Sequence, residues 1–291
     1  MANNPSLRLF HLSDIHFGLE DRQALAWAER CIAEEAPAAV AITGDLTMRA
    51  RSREFSAACA WIRGLKVPVT VEVGNHDLPY FNLIERFCDP YRRFRAIEAL
   101  VERQIELDGG LDGIAIIPLK TTARAQWRLN WSKGWVTRAA LSRTLAHIDA
   151  LPAGTRVLVA CHHPLVEVGT RGTALTRGGQ RALEALARRG VLAVLSGHVH
   201  DAFDLRHETA AGPVRMIGAG TLSKRIRSTP PSFNELTITD REVTVRVRNV
   251  QAVPTRAMQI PDVPPDALPP RTEDEPVAPV GTVPVEDPPV H

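Results

Sequence analysis

The chain has 291 residues, 44% hydrophobic and 23% charged, an ordinary globular composition able to bury a sizeable core, and no apolar run reaches the length of a membrane span. Its net charge of +2 hides an asymmetry: residues 254–291 carry two arginines against seven acids, which leaves a mildly basic +7 on the rest, suited to an anionic substrate but also accounted for by solvated arginines on helix faces. Cys31, Cys59, Cys88 and Cys161 have no CxxC spacing and no framework density, so neither a zinc knuckle nor a disulfide scaffold is indicated; with no secretory leader, the expectation is a cytoplasmic protein that does not engage a membrane.

In chain order, the apolar run "LRLFHL" at 7–12 reads as a strand and is followed by "SDIHFG", with Asp14 and His16 one residue apart. A helix is expected over 20–35, then a strand "AAVAIT" at 38–43 that runs into "GDLT" with Asp45. A second helix, 51–64, leads to the strand "VPVTVEV" at 67–73 and to "GNHD", with Asn75, His76 and Asp77. The long interval that follows holds "YFNLIERFCDPYRRFRAIEALVER" and "RAQWRLNWSKGW", where arginines and aromatics interleave. It reads as a helix over 92–106 with lid or scaffold architecture, and Arg92, Arg93 and Arg95 are candidates for contacting a base or phosphate.

A helix over 137–149 opens at the N-cap Thr137, and the strand "RVLVAC" at 156–161 ends in "HHPL", with His162 and His163. After a helix over 179–189, "VLAVLS" at 191–196 ends in "GHVH"; a backbone still extended there would put His198 and His200 on one face. The late strands "VRMIG", "FNELTI" and "VTVRVRN" have little helix between them and suggest a second sheet packed on the first. From about residue 253 the pattern stops and eleven of the 22 prolines fall in the last 38 residues. The division expected is a domain over 1–252 and a disordered or extended acidic tail over 253–291.

Ligand-type residues at five strand ends carry the functional signal. In open α/β sheets, sites form outside the carboxyl ends of strands, so these five ends are expected to converge. Singly, each has a dull explanation, such as a helix cap at Asp14 or Asp45. Together, with one imidazole set aside at each of "GNHD" and "HHPL", they supply Asp14, His16, Asp45, Asn75, His162, His198 and His200. A mononuclear site rarely needs so many, and two metals sharing a carboxylate would lie roughly 3.5–4 Å apart, a clamp suited to in-line phosphoryl displacement. Carboxylate, imidazole and amide donors suit Mn, Fe, Zn or Co.

The order Asp-x-His, Gly-Asp, Gly-Asn-His-Asp, a later His, then Gly-His-x-His resembles the calcineurin-like metallophosphoesterase superfamily, over roughly residues 7–248. The wording "HLSDIHFG" and "HHPL" is most similar to its bacterial cyclic-nucleotide (class III) phosphodiesterase branch. The resemblance implies a four-layer α/β/β/α sandwich and two metal ions. Asp14, His16, Asp45 and His200 would hold one ion, Asp45 would bridge, and Asn75, His162 and His198 would complete the second, with His163 behind them. A metal-bridging hydroxide would attack a small anionic phosphodiester such as cyclic AMP without a covalent enzyme intermediate, and His76 would stabilise the transition state or protonate the leaving alkoxide. Asp77 would orient His76, or serve a turn or cap.

Alternatives remain: a phosphomonoesterase, a DNA-repair-type nuclease, a nucleotide-lipid pyrophosphatase, or a scaffold that has shed its metals. A nuclease would call for a larger basic surface, the pyrophosphatase branch is expected to have Arg at His76, and the complete ligand set argues against the scaffold. Metal identity and oligomeric state, a homo-oligomer included, stay open.

Overall fold

The structure, a computed structural model, describes residues 6–79, 82–107, 113–123, 132–170, 175–239 and 242–250. The acidic tail and residues 124–131 of the Arg/aromatic interval lie outside them. The first half runs β1 (Leu7–Leu12), α1 (Arg22–Glu35), β2 (Ala39–Ile42), α2 (Ser52–Gly64), β3 (Val69–Val71), α3 (Leu83–Cys88), α4 (Arg95–Glu98), β4 (Ile105–Leu107) and β5 (Ile114–Pro118). It continues with α5 (Arg138–Asp149), β6 (Arg156–Ala160), α6 (Gly179–Ala187), β7 (Ala193–Ser196), β8 (Phe203–Thr209), β9 (Gly212–Gly218), β10 (Ser232–Ile238) and β11 (Val243–Asn249).

Side-chain alternation in the strands sets the layers. Phe10 and Leu12 of β1, Val40 and Ile42 of β2 and Val69 and Val71 of β3 share one face and pack under Ala28, Ile32, Phe55 and Ile62 of α1 and α2. The opposite face, with Leu7, Leu9, Ala39 and Ala41, packs on Ile116, Leu158, Ala193 and Leu195 of the second sheet. The far face of that sheet, with Ile117, Val157, Val159 and Val194, packs under Leu141 of α5 and Leu183 of α6. Three apolar cores therefore separate four layers, α/β/β/α, the two mixed sheets lying between helices. The first sheet has the order β11-β10-β1-β2-β3 and the second β4-β5-β6-β7-β9-β8. Among the described residues no helix is long and apolar enough to cross a membrane, and all four cysteines are free.

Local chemistry explains the element ends. Asp21 caps α1 by accepting from the amides of Gln23 and Ala24, and Thr137 caps α5 by accepting from Ala140. The expected helix over 92–106 forms only at α4, because Ile105–Leu107 pairs antiparallel with β5 and the sheet outcompetes the helical pattern. A further helix, α3, starts at Asn82, whose side chain accepts from the Glu85 amide. The late strands do not all build the second sheet: β10 pairs antiparallel with β1, returning the chain to the first.

Glu72 is one of several buried polar residues between the sheets. In register with Ile42, Val71 faces the helices, so Glu72, the next residue, faces the second sheet. Burial pushes its carboxyl from 4.5 up to about 8, partly offset by Lys120. Between those values the folded chain holds a proton that the unfolded chain has lost, so this group's contribution to stability falls as pH rises from 4.5 to 8. Glu72→Gln cannot ionise; its stability relative to wild type should rise by roughly 1–3 kcal/mol from pH 5 to pH 8, read by urea denaturation at both. A pH-independent difference would show that the native carboxyl is ionised throughout.

Candidate metal centre

The five expected strand ends, those of β1, β2, β3, β6 and β7, converge. Just beyond them the chain turns into the left-handed region at Asp14 (φ 54°), His16 (φ 51°), Asp45 (φ 51°), His198 (φ 69°) and His200 (φ 62°). The extended reading of "GHVH" is thus corrected: β7 ends at Ser196, and the two histidines project from a loop. Such conformations cost of order 1–3 kcal/mol each in non-glycine residues and persist only where surrounding bonds fix them. Here the Asp14 amide donates to Gly44 O (3.1 Å), His16 to Asp45 O (2.9 Å) and Gly197 to His162 O (2.9 Å). Two glycines let these loops approach: a Cβ on Gly197 would lie 1.7 Å from Ser13 Oγ, and one on Gly74 would lie 2.0 Å from Asp45 Oδ1.

Each buried aspartate has one oxygen tethered and the other aimed inward. Asp14 Oδ2 accepts from Ser13 Oγ (2.6 Å) and the His198 amide (2.8 Å). Asp14 Oδ1 has no hydrogen-bond donor and stands 3.1 Å from His200 Nε2 and 3.7 Å from His16 Nε2, which are 3.3 Å from each other. Asp45 Oδ1 accepts from the His76 amide (2.8 Å), and Oδ2 lies 3.4 Å from His162 Nε2 and 3.9 Å from His16 Nε2. His162 Nε2 in turn stands 3.1 Å from Asn75 Oδ1 and 3.3 Å from His198 Nδ1. The residues fall into two groups, Asp14/His16/His200 and Asn75/His162/His198, with Asp45 between them.

The imidazoles are held in one tautomer from behind. Nδ1 donates to a backbone carbonyl in His16 (Thr47 O, 3.4 Å), His162 (Thr43 O, 2.7 Å) and His200 (Arg225 O, 2.6 Å), which turns each Nε2 to the centre as the atom that takes a metal ion or a proton. The centre is therefore a convergence of acceptors, repulsive unless positive charge stands among them. The electrostatics agree. Burial holds His16 and His198 down to about 3 and so keeps them neutral. For His162, burial is outweighed by the Asp45 carboxylate, which raises the ring to about 9; Asp14 raises His200 in the same way. Burial likewise opposes ionisation of Asp14, but His200 and His162 hold it well below the usual carboxylate range. With an orphaned carboxylate oxygen, an amide oxygen and no thiolate, the donor set fits divalent or trivalent metal ions.

His163 is engaged elsewhere. Its Nε2 donates to Ser132 O (2.8 Å) and its Nδ1 meets Thr121 Oγ1 (2.9 Å), behind His162. His76 Nδ1 donates to Met48 O (2.8 Å), and its Nε2 accepts from Arg225 Nη1 (2.8 Å). Asp77 does not orient this ring, which corrects that expectation. Its carboxylate accepts from the amides of Leu46 (3.3 Å), Thr47 (2.8 Å) and Gly74 (2.9 Å) and from the Thr47 hydroxyl (3.0 Å), clamping the Asp45 and Asn75 loops together.

Sequence reasoning missed Arg225 and Arg227. With Ser132 and Lys133 they line a pocket of about 150 Å³ over Asp45, Asn75, His76, His198 and His200. The available signal was "SKRIRS", three cations in four residues shortly after a strand. Arg92, Arg93 and Arg95 do not line this pocket: the first two pair with Glu85 (2.9 Å each) and the third with Asp89.

Comparison with known proteins gives the same placement. The family model for calcineurin-like phosphoesterases matches residues 7–202. The glycerophosphodiester phosphodiesterase GpdQ of Enterobacter lignolyticus is 24% identical over 217 residues, 66% of this chain and 70% of that protein. Among solved structures, a dimetal phosphatase from Danio rerio superposes with a TM-score of 0.61 at 13% identity, covering 84% of this chain and 97% of that one. Purple acid phosphatase PPD1 from yellow lupin (Lupinus luteus) seeds gives 0.59 at 14%, over 85% and 52%. GAP50, the anchor in the inner membrane complex of Plasmodium, gives 0.58 at 12%, over 84% and 85%. At these identities the structural likeness establishes the fold alone.

Gly197→Ala tests the loop packing. Its Cβ must displace Ser13 and, 2.6 Å away, Asp14 Oδ2, so the variant should retain less than about half of the wild-type manganese after loading and desalting, by elemental analysis. Unchanged metal content with an intact far-UV spectrum would show that the Asp14 tether is dispensable.

Proposed function

Because the chain belongs to the calcineurin-like phosphoesterase family, we propose that it is a metal-dependent phosphoric ester hydrolase acting on a small phosphodiester. The observation that carries this reading is the pair of acceptor clusters meeting at Asp45. In this reading Asp14, His16, Asp45 and His200 hold one metal ion and Asp45, Asn75, His162 and His198 the other. When bound, the two ions supply an activated water near neutral pH and neutralise charge on the phosphoryl oxygens.

The chain's own groups supply the rest. Arg225, Arg227 and Lys133 give the pocket a positive rim suited to a phosphodiester anion. His76 has its Nδ1 proton committed to Met48 O, so Nε2 is the nitrogen through which a proton reaches the leaving alkoxide as the P–O bond breaks. Arg225, which donates to Nε2 in the free protein, first turns to a phosphoryl oxygen of the substrate, and the freed Nε2 takes up a proton from solvent and passes it to the alkoxide. Asp77 acts from behind, by fixing the loops that carry Asp45 and Asn75.

Diester rather than monoester is favoured by the likeness to a glycerophosphodiester phosphodiesterase, and cyclic AMP falls in the same class. The second reading, a phosphomonoesterase, is favoured by the dimetal phosphatase neighbour. The manganese-loaded protein should hydrolyse bis(p-nitrophenyl) phosphate over p-nitrophenyl phosphate by at least about tenfold in kcat/KM, with cyclic AMP and glycerophosphodiesters compared in the same assay. The reverse order makes it a monoesterase. His76→Ala should lose roughly 10²–10⁴-fold on alkyl esters, far less on p-nitrophenyl esters, and keep its metal. Loss of metal in that variant would instead make His76 a ligand.

A further inference from the structure

A second charged cavity at the sheet edge lies apart from the pocket over the metal centre. About 320 Å³ in volume, it opens where β3, the edge strand of the first sheet, faces the end of β5 and the helix α5. It shares no lining residue with the metal-centre pocket and contains none of the candidate ligands. Val73, Phe94, Val101 and Pro118 form apolar walls. Glu72 lines it at 6% exposure, and no described residue donates a hydrogen bond to its carboxyl.

The positive charge in the cavity forms no ion pair with Glu72 among the described residues. Lys120 holds its ammonium 3.1 Å from the centre of the Tyr91 ring, and no ion pair joins it to Glu72. Arg143 stands exposed on α5 at the mouth, while the other acid there, Glu98, lies 3.9 Å from Arg103. What remains is one buried carboxyl without a hydrogen-bond donor and two cations, Lys120 and Arg143, that make no ion pair with it among the described residues. A ligand with a single charge answers only one end.

We propose that this cavity binds a small zwitterion, its ammonium against Glu72, its methylene body along the apolar walls and its anionic end toward Lys120 and Arg143. Pockets for small ligands begin at about 300 Å³, apolar over most of their lining with a few fixed polar groups, as here. Burial disfavours the charged form of both fixed groups, pushing Glu72 up and Lys120 down to about 8, and a ligand with opposed charges relieves both.

The test is calorimetric titration of the full-length manganese-loaded protein with ω-amino acids from glycine to 6-aminohexanoate, with hexylamine and hexanoate as single-charge controls. One chain length should bind at least about tenfold more tightly than either control, and Glu72→Gln and Lys120→Met should each weaken it by about tenfold or more while melting as single cooperative transitions. His200→Ala should bind it as wild type does, which separates this site from the metal centre and makes the result independent of the proposed activity. No binding by any member of the series, equal binding by Glu72→Gln, hexanoate as tight as the best amino acid, or loss of binding in His200→Ala would each overturn the proposal.

Discussion

Two buried carboxylates organise this protein. Asp14 and Asp45 are almost wholly removed from water, and each fixes one oxygen on nearby donors and turns the other toward imidazole lone pairs. Taking a carboxylate out of water costs several kcal/mol unless opposite charge and hydrogen bonds compensate, so the surrounding loops are built to supply both. Left-handed turns at five non-glycine residues, close approach at Gly74 and Gly197, and carbonyl acceptors behind three histidines all serve that requirement.

The fold brings the two carboxylates to the same place because both sheets point their carboxyl ends at one crevice. His198 and Asp14 are 184 residues apart and meet because β7 of the second sheet and β1 of the first stop at the same level. Thr221 strengthens the junction from a third segment by donating to the Asp14 carbonyl at 2.7 Å. A few residues on, Arg225 holds His200 through its backbone carbonyl and His76 through its guanidinium. One residue thus couples a candidate metal ligand to the candidate proton donor, and the loop that carries it is part of the centre rather than a connection between strands. Fold alone would not assign this activity, since an anchor protein shares the architecture; the filled ligand positions and the cationic rim are what argue for hydrolysis.

Much of the architecture was legible in the sequence where burial is strong. "LRLFHL", "AAVAIT", "RVLVAC" and "VLAVLS" are apolar on both faces because their sheets are covered on both sides, and each forms a strand at or within the expected bounds. Reading failed where burial is weak or where partners are distant. β8 lies at a sheet edge and alternates half-exposed with exposed residues, so its pattern is faint. β4 follows a stretch with helical periodicity and becomes a strand only because β5 offers it a partner. The return of β10 to β1 could not be read at all, because periodicity carries face but not neighbour.

By itself the sequence determined the chemistry: which carboxylates, imidazoles and amide stand after which strand ends, and hence the family, since ligand type and order are local properties of the chain. Tertiary structure decided the pairing and the roles. It put Asp77 in the loop clamp rather than against His76, and added Arg225 from a segment read only as a connection. The reason is physical: a hydrogen bond or a shared lone-pair cluster depends on distances set by two packed sheets, and residues nearly two hundred positions apart acquire those distances only when the layers close.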